Sequence, residues 1–137
     1  MALDSRAVDL VHALELVDRA RQEAEKIGVA MSFAVVDTGG HLVALARMDG
    51  APFLTTEIAT GKAFTAAAFK APSADLAKRF EGRAQFTASI GVVTHGRFTL
   101  GMGGVPIMVD GQVAGAIGAS GGTGEQDVAV VEAALAG

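Results

Sequence analysis

The sequence predicts an α+β fold, an antiparallel sheet covered by helices, and three observations carry that reading. Two pairs of strand-length apolar runs are each joined across a tight glycine-containing turn. Apolar residues recur at helical spacing near the N-terminus, and a capping motif opens a helix near the C-terminus. The segment order is helix, hairpin, helices, hairpin, helix, so the strands arrive as antiparallel pairs with helices left to cover them. With 137 residues the chain reads as one domain, 1–137, of a size that buries roughly two-thirds of the surface its unfolded form exposes.

In chain order, Ala7, Leu10, Val11, Leu14 and Val17 recur at spacings of three and four between Asp4 and Ile27, and Gly28 stands where a left-handed residue closes a helix. Glu15 and Arg19 form a favourable i,i+4 pair on its outer face. Residues 30–36 and 41–48 are the first strand pair, separated by Asp37-Thr38-Gly39-Gly40. After the Asp49-Gly50 turn, Pro52 at a first helical position opens a second helix that runs to about Phe69 and stops before Pro72. Ser73 is the expected cap of a short third helix. Residues 81–101 carry the weakest pattern, and one strand plus irregular structure is expected there.

Gly103-Gly104 leads into a strand over 105–109, Asp110-Gly111 is a two-residue hairpin signal, and 112–119 returns. One face of the return strand reads Ala114, Ala116, Gly118, small enough for a helix or a flat ligand to lie close to the sheet. Thr123 and Gln126 form a capping box for a last helix ending near Ala136.

Composition removes several function classes. The chain has no cysteine, which excludes disulfides, thiolate catalysis and cysteine-ligated metal clusters. A net charge of −4 with Lys and Arg scattered singly offers no basic field for phosphate backbones, so nucleic acid is not an expected partner. The opening residues mix charge with apolar side chains and lack the apolar run of a signal peptide or membrane helix, so a cytoplasmic protein without membrane attachment is expected. Hydrophobic residues make up 50 % of the chain against 19 % charged, an apolar excess that contacts in a homo-oligomer would use.

Six blocks together resemble the GlcG/HbpS family, the haem-degrading domain superfamily: Val35-Val36-Asp37 with Gly39-Gly40, Arg47-Met48-Asp49-Gly50-Ala51, Ile58-Ala59 with Lys62-Ala63, Gly103-Gly104-Val105-Pro106-Ile107, Asp110-Gly111, and Gly115 to Gly122 with Gln126-Asp127. They occur in the family's order and span nearly the whole chain. The resemblance implies profilin-like αβα layers and assembly into dimers up to octamers. Similar proteins include haem binders, a domain fused to corrinoid adenosyltransferases, proteins encoded beside glycolate oxidation genes, and a lyase acting on hydroxylaminobenzoate. The reaction, if any, therefore stays open.

The candidate residues follow from both lines of reading. His12 shares a helix face with Glu15, Arg19 and Glu23, opposite the Leu10/Val11/Leu14 stripe. A first-helix histidine ligates haem in some relatives, so the resemblance makes His12 the candidate axial ligand. His41 follows the Gly39-Gly40 turn, either as a polar strand-start residue or projecting into a pocket, and His95 receives no role. No histidine pair has zinc-site spacing.

Arg47, Asp49, Glu57 and Lys62 are charged residues inside apolar blocks, where an ion must be paired or serve a ligand. Lys62 is expected either to pair with Asp37, Asp49 or Glu57, or to join Arg47 in receiving a carboxylate or haem propionate. Gly103, Gly104, Ser120, Gly121 and Gly122 are candidate ligand-binding loops, the last three opening a helix N-terminus whose free amides suit an anion. No nucleotide-loop or serine-hydrolase motif is present. The leading expectation is a homo-oligomeric binder of haem or another planar or carboxylated small molecule. The alternatives are a cofactor-free lyase or isomerase on a small aromatic or hydroxy acid, with Lys62 or His41 as acid or base, and an assembly module with no ligand.

Overall fold

A computed structural model describes residues 7–137. It contains α1 (Leu10–Ile27), β1 (Ser32–Val36), β2 (Leu42–Arg47), α2 (Thr55–Phe69), α3 (Ser73–Arg79), α4 (Ala84–Val93), β3 (Gly104–Val109), β4 (Gln112–Ser120) and α5 (Gly124–Ala136). The four strands form one antiparallel sheet in the order β2-β1-β4-β3. The α+β class and the helix-covered sheet are as the sequence predicts. Helices α1 and α5 pack on one face of the sheet around Phe33, Val35, Ile107 and Ile117, and α2 lies on the other against Val36 and Ala116.

Local chemistry explains most boundaries. Helix α1 begins at Leu10 because the Asp9 carboxylate accepts the His12 backbone N–H at 2.8 Å, and it ends where Gly28 turns left-handed with φ 71°. The expected start near Asp4 lies outside the described residues, and residues 7–9 are not helical. The Asp37 carboxylate accepts the backbone N–H of Gly39 and of His41, which closes the first hairpin. Asp110 and Gly111 both take positive φ, 51° and 76°, as a two-residue primed turn requires. The Thr123/Gln126 capping box is present at α5.

Several expectations are corrected. Helix α2 starts at Thr55 and not at Pro52, because the Pro52 carbonyl accepts the Thr55 N–H in a preceding turn. Ser73 makes no capping bond: it is buried, its hydroxyl bonds the Gly101 carbonyl and accepts the Gly104 N–H, and so it fastens α3 to the loop before β3. The strand expected within 81–101 is helix α4. That helix has no buried residue and rests on a ring cluster of Phe69, Phe80, Phe86 and Phe98, so it is anchored at its base and lacks the one-sided burial that gives a readable periodicity.

The face of α1 is also corrected. Ala13, Leu16, Val17, Ala20 and Ala24 are buried, whereas Leu10, Val11 and Leu14 are exposed. His12 is half-buried at the border between these faces. On β4, Ala114 does not share a face with Ala116 and Gly118. The pairing passes from Ile107↔Gly115 to Met108↔Val113, and this bulge leaves Ala114 unpaired and turns it toward the α1/α5 core. Its carbonyl accepts the Val8 N–H instead. The small face beyond the bulge is filled by helix: a Cβ on Gly118 would collide with the Ala59 carbonyl and approach the Ala63 nitrogen to 2.8 Å.

Candidate functional site

Apart from His12, the sequence-predicted residues fall into four separate places. The first is a buried ion pair. Lys62 projects from α2, where the Lys62 Nζ donates to the Asp127 carboxylate and to the Ala119 carbonyl, both at 3.0 Å. Lys62 is 6 % exposed and Asp127 2 %. The expected partners Asp37, Asp49 and Glu57 are thus replaced by an acid on α5. The second Asp127 oxygen accepts the Gly122 N–H at 2.9 Å.

The glycines surround this pair. A Cβ on Gly103 would lie 2.8 Å from the Ala119 carbonyl and 3.3 Å from the Lys62 Nζ, and one on Gly104 would strike the Lys62 backbone. Gly121, at φ 138°, lets the chain pass the Ala30 carbonyl, and Ser120 is buried at the end of β4. The loop at the α5 N-terminus therefore does meet an anion, and that anion is the chain's own Asp127.

The second place is a shallow hollow of about 400 Å³ that brings Arg47 and Asp49 together with Arg21, Glu25 and Met48. Arg21 is already committed, bonding Asp18 and Glu25 at 2.7 Å each, and its hydrogen bond holds the Asp18 carboxyl below the ordinary carboxylate range. The third is the first hairpin, where His41 is exposed and stands 3.3 Å from Asp37.

The fourth is a cleft of about 380 Å³ between α2 and the segment after α4. Glu57, Thr56, Thr60 and Phe64 line it from α2, and His95, Arg97 and Thr99 from the facing loop. The loop is fixed by three contacts. The Thr65 hydroxyl accepts the Thr99 N–H at 2.8 Å, Gly61 leaves space that a Cβ would take from Thr99, and the Arg97 guanidinium stacks 4.5 Å from the Phe64 ring centre. His95 and Gly96 take positive φ, 56° and 78°, which swings the chain off α4 and back over α2. Sequence reasoning named only Glu57 here. His12 lies apart from all four places, on α1. Among the described residues no cluster of three or more His, Asp or Glu is set to hold a metal ion, and no helix is long and apolar enough to cross a membrane.

Comparison with known proteins identifies the lineage. The family model "Haem degrading protein HbpS-like" matches residues 8–136. The chain belongs to the HbpS-like family. Within it, the chain is 40 % identical to Protein GlcG of Escherichia coli strain K12 over 109 residues, covering 79 % of this chain and 77 % of that protein. Among solved structures it matches Klebsiella pneumoniae protein ORFY with TM-score 0.88 and 30 % identity over 98 % of this chain and 92 % of that one. It also matches PduOC, solved as a haem complex, with TM-score 0.84 and 28 % identity over 95 % of this chain and 94 % of that one.

These HbpS-like relatives bear out the resemblance read from the six sequence blocks. One of those blocks ends in Asp127, the residue that the structure pairs with Lys62.

Proposed function

We propose that the protein is a homo-oligomeric binder of a planar, carboxylate-bearing molecule, with haem the leading candidate and His12 its axial ligand. The observation that carries the reading is the haem complex of PduOC, whose chain superposes on nearly all of this one. The residues around His12 suit such a ligand. The His12 backbone N–H is spent on Asp9, while its ring makes no hydrogen bond among the described residues and keeps a nitrogen lone pair for iron. Leu10, Val11 and Leu14 expose apolar surface on the opposite side of the same helix, where a second copy would pack. Arg19, two turns further along the His12 face, donates to the Gly137 carbonyl at 3.2 Å and lies 4.0 Å from Glu15, and would have to exchange these surface contacts to meet a propionate. Bound haem would supply iron-centred chemistry; the chain would supply the His12 donor and a surface arginine.

A surface site formed between copies suits the dimensions. The α2 cleft, at about 380 Å³, falls near the small end of the roughly 300–1,000 Å³ range of ligand pockets. Lys62 is taken by Asp127, which leaves the exposed Arg47, without an ion pair among the described residues, as a better-placed cation for a propionate. The exposed apolar residues of α1, together with Leu42 of the edge strand β2 and Val92 and Val93 of α4, are surface that a second copy would cover.

The test is haem titration of the parent and of His12→Ala. The expected result is a saturable Soret band for the parent that is lost or shifted in the variant. A retained, unshifted band would transfer the ligand role to another donor, and no saturable binding by the parent would remove haem.

A further inference from the structure

We propose that the cleft between α2 and the 95–99 loop binds a compact monocarboxylic acid with an apolar body, at a site separate from His12 and independent of haem. Its walls are chemically unlike. On the loop side, Arg97 Nε donates to the Thr94 carbonyl at 2.8 Å and the guanidinium plane lies over Phe64. Among the described residues its two terminal nitrogens make no hydrogen bond or ion pair, so a donor fork is held in place with nothing in it. A fork of this kind matches a carboxylate in a two-bond geometry, and its immobilisation has already been met by the fold.

On the helix side every group accepts. The Thr56 hydroxyl donates to the Phe53 carbonyl and the Thr60 hydroxyl to the Thr56 carbonyl, at 2.9 and 2.8 Å, which turns oxygen lone pairs toward the cleft. Glu57 adds a carboxylate that has no cationic partner among the described residues. The floor between the walls is apolar, formed by Leu45, Gly61 and Phe64.

A ligand that satisfies both walls carries one carboxylate for Arg97, an apolar middle for the floor, and a hydrogen-bond donor such as a hydroxyl or an ammonium toward Glu57. A second carboxylate would face Glu57 and be repelled. The site therefore distinguishes monoacids from diacids of the same body.

The experiment uses the full chain with three probes: cyclohexanecarboxylate, trans-4-hydroxycyclohexanecarboxylate and trans-cyclohexane-1,4-dicarboxylate. Calorimetry gives the affinities, and amide NMR shifts locate the site. The expected result is saturable binding of both monoacids, the hydroxy acid the tighter, with shifts at Gly61, Gly96 and Thr99 and weaker binding of the diacid. Arg97→Gln should weaken monoacid binding about tenfold or more, the loss expected when a charge-assisted hydrogen bond is removed. Glu57→Gln should raise diacid affinity toward that of the monoacid. Arg97→Lys, which keeps the charge and loses the fork, should fall between parent and Arg97→Gln and supplies the test if that variant does not fold. No saturable shift with either monoacid, equal affinity of the parent for monoacid and diacid, or an unchanged affinity in Arg97→Gln would each overturn the proposal.

Discussion

A lysine ammonium taken almost wholly out of water costs several kcal/mol unless charge and hydrogen bonds meet it, and Lys62 is met by the Asp127 carboxylate and the Ala119 carbonyl. Removing only the lysine leaves Asp127 buried with a single N–H, that of Gly122, to satisfy it. Lys62→Met should therefore lose about 3–5 kcal/mol in urea unfolding. Lys62→Met combined with Asp127→Asn removes both charges while keeping an acceptor for Gly122, and should recover most of that loss. Equal stability of the single variant and the parent would show that the pair contributes nothing. The need for a partner was legible in the sequence, because Lys62 stands among Ala59, Ala63 and Ala66. The partner itself was not, since it lies 65 residues away on α5, which packs on the opposite face of the sheet from α2. A signal was nonetheless present: Asp127, Val130, Val131 and Ala134 recur at the spacing of one helix face, so Asp127 sits on the apolar stripe of α5.

The elements read best from sequence were those whose ends are set by local chemistry, such as the Gly28 stop, the Asp110-Gly111 turn and the Thr123/Gln126 capping box. Those read worst are governed by contacts between elements. Helix α4 carries apolar residues on every side, and its placement comes from a phenylalanine cluster gathered from four separate segments. For the same reason His95, Arg97 and Thr99 were invisible as a group: only the return of the chain over α2 brings them opposite Glu57. The exposed Leu10, Val11 and Leu14 imitate a core stripe, while the real one is mostly alanine and gives little hydrophobic contrast. Alanine and glycine are what let α2 lie so close to β4. Gly118→Ala should consequently push α2 off the sheet and lower stability by about 1–3 kcal/mol, measured by thermal or urea unfolding. An unchanged midpoint would mean that this close approach is not required.

Taken as a whole, the molecule leaves several large apolar residues outside its core, with Val11 68 %, Phe53 80 % and Val92 78 % exposed. That exposed apolar surface is the physical basis for expecting self-association, and it locates one face that would be covered. Val11→Glu with Leu14→Glu should reduce the oligomer while the chain keeps the helix and strand content of the parent by circular dichroism, because both side chains are largely exposed in the isolated chain. A stable oligomer in that double variant would assign the interface elsewhere, to β2 or α4. The fold class and family were legible because they rest on turns, caps and ordered sequence blocks; the ligand was not, because the predicted site residues disperse over five places, His12 among them, and much of their polarity is satisfied internally. The decisive measurement is sedimentation velocity of the protein mixed with haem, followed at the Soret wavelength. A haem-binding oligomer gives Soret absorbance that saturates with added haem and travels with a species heavier than the 13.8 kDa chain. Soret absorbance that stays with free haem, or a protein that sediments as a monomer at every haem concentration, would contradict it.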